Sequence, residues 1–263
     1  MKRWILTVAL AAVIAGCATT TSSTGRTQYV GGVSQQQLNQ LGAQAFVEAK
    51  SKGPLSNDPR QNAYVRCVVN ALVRQLPAQG QGVAWETALF ANNEPNAFAL
   101  PGGKVGVNTG IFSVAKTQDQ LAAVLAHEIG HVMERHHDER ITRQMGASGA
   151  VQLLGALAGD YGSLATQGGS LLAQTGFLLP GSRVQESEAD QVGQRLMADA
   201  GFDPAQAVNL WQNMIAAGGG RQPEWLSTHP DPQSRIQELR NRAGSLAPAY
   251  QQAKAAGRIP KCG

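Results

Sequence analysis

The strongest constraint on this chain is a pair of histidines four residues apart inside a strongly predicted helix. Thr117-Gln118-Asp119-Gln120 reads as a capping box, and Leu121, Val124 and Leu125 follow as an apolar stripe. A helix is therefore predicted from about Gln118 to Arg140. Within it lies His127-Glu128-Ile129-Gly130-His131. Side chains at i and i+4 share a helical face, so both imidazoles can reach one ion. Glu128 is turned about 100° round the helix from His127, beside such an ion rather than on it. That is where a general base acting on water must stand. Zinc suits imidazole and carboxylate ligands, so one Zn2+ per chain is expected.

Two histidines do not hold zinc, and a third ligand is needed. His137 comes ten residues after His127, but along a continuous helix that places it roughly 15 Å away at 1.5 Å per residue. His136 and His137 are therefore read as surface residues or residues behind the ligands. The better candidate lies in Arg183-Val184-Gln185-Glu186-Ser187-Glu188-Ala189-Asp190, behind a second capping box at Ser182 and Gln185. Glu186 and Asp190 share one face at i and i+4, while Glu188 points roughly opposite. Glu186 reads as the ligand, and Asp190 as the acceptor for the outer N–H of a ligand histidine. An acidic first turn favoured by the helix dipole is the competing explanation for this stretch.

The rest of the chain reads as α+β, mostly helical, with one small sheet. Gln35 to Lys52 is a predicted helix, and Asp58-Pro59 opens another to about Gln75. Val83 to Phe90 is a predicted strand, and Ala97–Leu100 and Lys104–Val107 flank Pro101-Gly102-Gly103 as a hairpin or bent strand. Asp203-Pro204 and Asp231-Pro232 read as further N-cap pairs in a helical C-terminal half. Residues 144–181 carry little charge and many glycines, which fits a lid, a patch or plain core. The net charge of +4 is scattered and aromatics are only 5%, so neither a basic stripe nor a stacking platform for nucleic acid is present.

Lys2 and Arg3, the apolar run Trp4 to Ile14 and the small residues before Cys17 read as a lipoprotein-type secretory signal over residues 1–16, with an ordinary signal peptide cut nearby or an uncleaved anchor as the alternatives. Ile14-Ala15-Gly16-Cys17 resembles a bacterial lipobox, which implies lipidation of Cys17 and, with Ala18 next, the outer membrane with the domain facing the periplasm. Residues 17–34, rich in Thr, Ser and Gly, read as the lipidated cysteine and a flexible tether, and 35–263 as one domain. Cys67 and Cys262 remain as a candidate disulfide in an oxidising compartment, or as two free thiols.

His127-Glu128-Ile129-Gly130-His131, followed by Glu186-Ser187-Glu188-Ala189-Asp190, resembles the HExxH zinc endopeptidases that include the CAAX prenyl proteases, HtpX, BepA and LoiP. Asn96-Ala97-Phe98-Ala99-Leu100-Pro101-Gly102-Gly103 and Thr228-His229-Pro230 are similar to the same family, and the layout is closest to the LoiP-type lipoproteins. The resemblance implies a gluzincin-like zinc peptidase domain with Glu186 as third ligand and Glu128 as base. It implies unfolded or misassembled envelope proteins as substrates, with the membrane met through the N-terminal lipid. Asn96, Ala97, Phe98 and Ala99 would then be a substrate-binding edge strand, or else an ordinary core hairpin. His229 matches a position where relatives place an extra histidine over the zinc, so it is a fourth ligand, a gate, or a loop histidine. Arg235 is either an oxyanion stabiliser or a surface arginine. The other function class left open is an envelope chaperone or assembly factor with a latent, His-capped protease site.

Overall fold

The structure is a computed structural model and describes residues 18–144, 177, 181–218, 224–229 and 232–263. Cys17 and the 1–16 signal lie outside the described residues, as does nearly all of 144–181.

The chain enters as a hairpin, β1 (Ala18–Thr21) and β2 (Thr27–Val30), with Ala18 opposite Val30 and Thr21 opposite Thr27. This corrects the expectation of a flexible tether and adds a second small sheet. On β2, Gln28 and Val30 are buried while Thr27 and Tyr29 face outward, the period-two alternation of a strand laid on a body. The Ser and Thr residues that suggest a tether are used instead as donors. Ser23 Oγ donates to Glu134 at 2.6 Å, and the Thr24 hydroxyl donates to Glu188.

Helix α1 (Gln35–Lys52) starts at a reciprocal Ser34–Gln37 capping box and buries Leu38, Leu41, Ala45 and Phe46. Helix α2 (Pro59–Val73) starts where Asp58 accepts from the amides of Arg60 and Gln61, ahead of proline at the first turn. After a short turn of helix α3 (Ala78–Gln81) comes a three-stranded sheet of β3 (Glu86–Phe90), β4 (Ala97–Leu100) and β5 (Lys104–Asn108). Its order is β3-β5-β4, with β5 parallel to β3 and antiparallel to β4, which leaves β4 at an edge.

Helix α4 (Gln118–Met133) runs through the core. Leu121, Leu125 and Ile129 are fully buried, each contributing about 1.5–3 kcal/mol by leaving water. It ends seven residues before the predicted Arg140. Arg135 takes a left-handed φ of 54°, and the chain turns into a separate helix α5 (His136–Gln144). The break carries His136 and His137 inward, where both are buried.

Helix α6 (Arg183–Ala200) begins at the Ser182–Gln185 capping box and packs against α4. Two glycines let the backbones touch: a Cβ on Gly193 would lie 2.9 Å from the His127 amide nitrogen, and one on Gly130 would lie 3.0 Å from the Ala189 carbonyl. Helices α7 (Gln206–Ala217), α8 (Glu224–Thr228) and α9 (Pro232–Ala255) follow. Asp203-Pro204 forms a turn ahead of α7, with Asp203 accepting from the Ala205 amide; Ala205 itself holds the N-cap position without a side-chain cap. The C-terminal tail returns to the body. Cys262 lies at disulfide distance from Cys67 of α2, with Cα atoms 5.5 Å apart, and its amide donates to Gln118 at 2.9 Å. Among the described residues no helix is long and apolar enough to cross a membrane.

Candidate metal centre and cleft

Close packing of α4 on α6 brings His127, His131 and Glu186 together, and α8 adds His229. The candidate ligand atoms of these four residues all lie within 4.8 Å of one another. His127 Nε2 and His131 Nε2 are 3.1 Å apart, and the Glu186 carboxylate lies 3.4 Å from the first and 3.5 Å from the second. Ligands about 2.0–2.2 Å from one tetrahedral ion stand roughly 3.3–3.5 Å from each other, so the three donors have the spacing a zinc ion requires. The charge pattern agrees. Glu186 is fully buried, and its Oε1 has no hydrogen-bond partner. An orphan of that kind costs about 1–3 kcal/mol unless something pairs with it. A cation at the centre of this donor set would do so.

Each ligand is held from behind. Asp190 Oδ1 lies 2.9 Å from His127 Nδ1, so the carboxylate fixes the tautomer that turns Nε2 to the centre. Arg235, buried on α9, clamps Asp190 through Nε at 2.6 Å and Nη2 at 2.7 Å, and donates from Nη1 to Glu186 at 2.9 Å. Its guanidinium also lies over the Trp211 ring at 4.0 Å. Arg235 is therefore buried rather than at the surface, with two carboxylates and an indole around its guanidinium. Behind His131 stands His136, with Nδ1 atoms 2.8 Å apart, and His136 Nε2 is 2.9 Å from Glu188.

Burial pushes the His127 imidazole down, as does the charge of Arg235, but the bonds to Asp190 and Glu186 prevail and carry its pKa up to about 9. His131 differs: burial, with the neighbouring imidazoles, holds it well below the ordinary histidine value. Burial also works to raise Glu186, yet His229, His127 and Arg235 hold it down at about 2. Glu128 is likewise pushed up by burial and drawn below the usual carboxylate range by His229, His127 and Trp225, so it is ionised at neutral pH. The Trp225 indole donates to Glu128 Oε1 at 3.1 Å, and His229 Nε2 stands 3.3 Å from the same oxygen. His229 Nδ1 lies 3.0 Å from the Trp225 carbonyl, which directs Nε2 into the site.

A cleft opens over this centre. Asn96 and, from β4, Ala97, Phe98 and Ala99 line it together with Glu128, His131, Glu186 and His229. Arg140, His137 and Phe177 line it as well. Sequence reasoning missed Trp225, Glu188 and Arg140, and left His136 open between the surface and the place behind a ligand that it takes. A lone tryptophan carries no spacing signal. The roles of His136, Glu188 and Arg140 depend on a helix break that a capped, uninterrupted pattern conceals.

Comparison with known proteins adds an independent line. The model of Peptidase family M48 matches residues 59–243. The chain is 41% identical over 175 residues to mitochondrial metalloendopeptidase OMA1 of Schizosaccharomyces pombe, covering 65% of this chain and 51% of the relative. It is 31% identical over 239 residues to the beta-barrel assembly-enhancing protease of Escherichia coli strain K12, covering 86% of this chain and 47% of the relative. The chain thus spans about half the length of these relatives.

Proposed function

The chain belongs to peptidase family M48, and from that premise we propose that it is a zinc-dependent endopeptidase acting on unfolded or misassembled proteins of a bacterial envelope. The observation that carries this reading is an ionised Glu128 beside, and not among, the three ligand-spaced donors His127, His131 and Glu186. A purely structural zinc site has no use for a buried carboxylate in that position.

Zinc, when bound, supplies a Lewis acid that polarises a carbonyl and brings the pKa of a water towards about 7. The chain's own residues do the rest. Glu128 takes a proton at its carboxylate as water attacks the peptide carbon, and returns it to the departing amine nitrogen. The Trp225 indole fixes that carboxylate, and Asp190 keeps His127 in the tautomer that presents Nε2. Along the cleft, the outer edge of β4 offers backbone groups to an extended substrate, which gives affinity with little side-chain choice. The lipobox-like start supports anchoring through Cys17 at the outer membrane. The close pair Cys67 and Cys262 supports an oxidising compartment such as the periplasm.

The test is hydrolysis of casein by wild type and Glu128→Gln, with bound zinc measured in both. Loss of about 10²–10⁴-fold in rate at equal zinc content is expected. Equal rates, or a folded wild type without zinc, would overturn the reading. A latent form is favoured by one specific contact, His229 Nε2 at 3.3 Å from Glu128. In that form His229 caps the site, and the protein serves its clients as a chaperone or assembly factor until the cap lifts. His229→Ala then raises proteolysis; a fall in rate at unchanged zinc would exclude the cap.

A further inference from the structure

The ligand His131 is connected to the very start of the described chain. His131 Nε2 points to the metal-ligand cluster, so its Nδ1 carries the proton and donates to His136 Nδ1 at 2.8 Å. His136 must then carry its own proton on Nε2, which donates to Glu188 at 2.9 Å. This is a self-consistent assignment in which both imidazoles are neutral and every ring nitrogen is used. Glu188 in turn is held by Arg26, through Nε at 2.8 Å and Nη2 at 2.7 Å, and by Thr24. The same guanidinium makes a two-pronged contact with Glu139 on α5, at 2.9 Å on both arms. Glu188 and Glu139 are buried, and Arg26 reaches both from the turn between β1 and β2. A buried carboxylate that has lost its cation rotates or draws in water, and the imidazole it orients is released with it.

We propose that the N-terminal hairpin is a positioning element of the metal centre: Arg26 sets the orientation of His131 through Glu188 and His136. The inference rests on the zinc reading of His127, His131 and Glu186. It makes the hairpin of residues 18–30 part of what determines metal affinity. Arg26 touches neither metal nor substrate; it is a positioning residue.

The experiment is a zinc titration of the full-length chain in detergent against a chromophoric chelator, with folding followed by far-UV circular dichroism. Arg26→Ala is expected to weaken zinc binding about 10–100-fold, the scale of lost outer support at metal sites. The visible spectrum of the cobalt-substituted protein should shift, reporting altered ligand geometry. His136→Ala should weaken binding similarly, and Arg26→Ala with His136→Ala should lose no more than the worse single variant, because both act through one path. Arg26→Ala combined with Asp190→Asn should lose the sum, because those act on different ligands. If Arg26→Ala does not fold, Arg26→Lys keeps the charge, loses the fork and carries the test with an intermediate loss. Unchanged zinc affinity and cobalt spectrum in a folded Arg26 variant, or additive losses with His136→Ala, would overturn the proposal alone. A wild type that binds no zinc would overturn the metal reading beneath it.

Discussion

The two histidines of the motif sit one turn apart on the same helix, yet they are supported from opposite ends of the chain. His127 rests directly on a carboxylate, Asp190, which the C-terminal helix clamps through Arg235. His131 rests on a neutral imidazole, and its support passes through His136 and Glu188 to Arg26 in the N-terminal hairpin. The electrostatic outcome differs accordingly. Hydrogen-bonded carboxylates carry the His127 pKa up to about 9, whereas His131, with no carboxylate hydrogen-bonded to it, is held down by burial and the neighbouring imidazoles. The two arms should therefore respond differently to perturbation.

The largest effect is expected on the C-terminal side. A disulfide between Cys67 and Cys262, which lie at bonding distance, would close a loop with a sequence separation of 195 residues. On the chain-entropy account, cross-linking a loop of that size contributes about 5 kcal/mol. Reduction should lower the denaturation midpoint strongly. Zinc affinity measured on the still-folded reduced chain should stay within a few-fold of the oxidised value, because neither sulfur contacts either arm. Loss of zinc in parallel with stability would show that metal affinity and global stability are not separable.

The next effect discriminates the arms themselves. Arg235→Ala leaves Asp190 and Glu186 buried without their cation, and breaking such a pair costs about 3–5 kcal/mol. Zinc should restore part of that loss, since it gives Glu186 a new partner. Arg26→Ala is milder. Glu139 keeps Gln185 and Arg143, and the Thr24 hydroxyl still reaches Glu188, so about 1–3 kcal/mol is expected. Denaturant midpoints with and without zinc decide the matter, and equal costs would mean the two arms are equivalent after all.

The asymmetry also explains what could be seen in the sequence. The His127 arm follows from helical periodicity: His127 and His131 share a face at i and i+4, and so do Glu186 and Asp190. Arg235 and His229 are site candidates in the sequence, but only the structure sets Arg235 onto the carboxylates of Asp190 and Glu186. The His131 arm follows no period. It needs Arg135 to adopt a left-handed φ, which no glycine announces, so that α5 turns His136 back onto His131. It also needs Arg26 to meet Glu188 across 162 residues of sequence. Hydroxyl-rich residues 18–30 look like a solvated tether because composition reports average polarity; pairing of individual donors with buried carboxylates lies outside it. The helices that set the fold, α1, α2, α4 and α6, were legible from their caps and apolar faces. The end of α4 was not, since nothing in its apolar pattern marks Glu134 as a stop.

The smallest effect is the sharpest test of which histidine holds a proton. In the zinc-free chain at pH 7, His127 is protonated, with its pKa raised to about 9, and His131 is neutral. Zinc must displace the His127 proton, so binding at pH 7 should release about one proton, and affinity should climb about tenfold per pH unit up to about 9. Stability of the zinc-free chain should run the other way. The charged His127 contributes fully below the unfolded value of about 6.5, and that contribution is lost as pH rises through about 9. Calorimetry in buffers of different ionisation enthalpy counts the protons. Asp190→Asn removes the negative charge that helps raise His127, so proton release and the pH slope should both shrink. Arg26→Ala leaves that charge in place, so its affinity falls while its slope is unchanged. A slope that flattens in Arg26→Ala and persists in Asp190→Asn would assign the proton to the His131 arm instead.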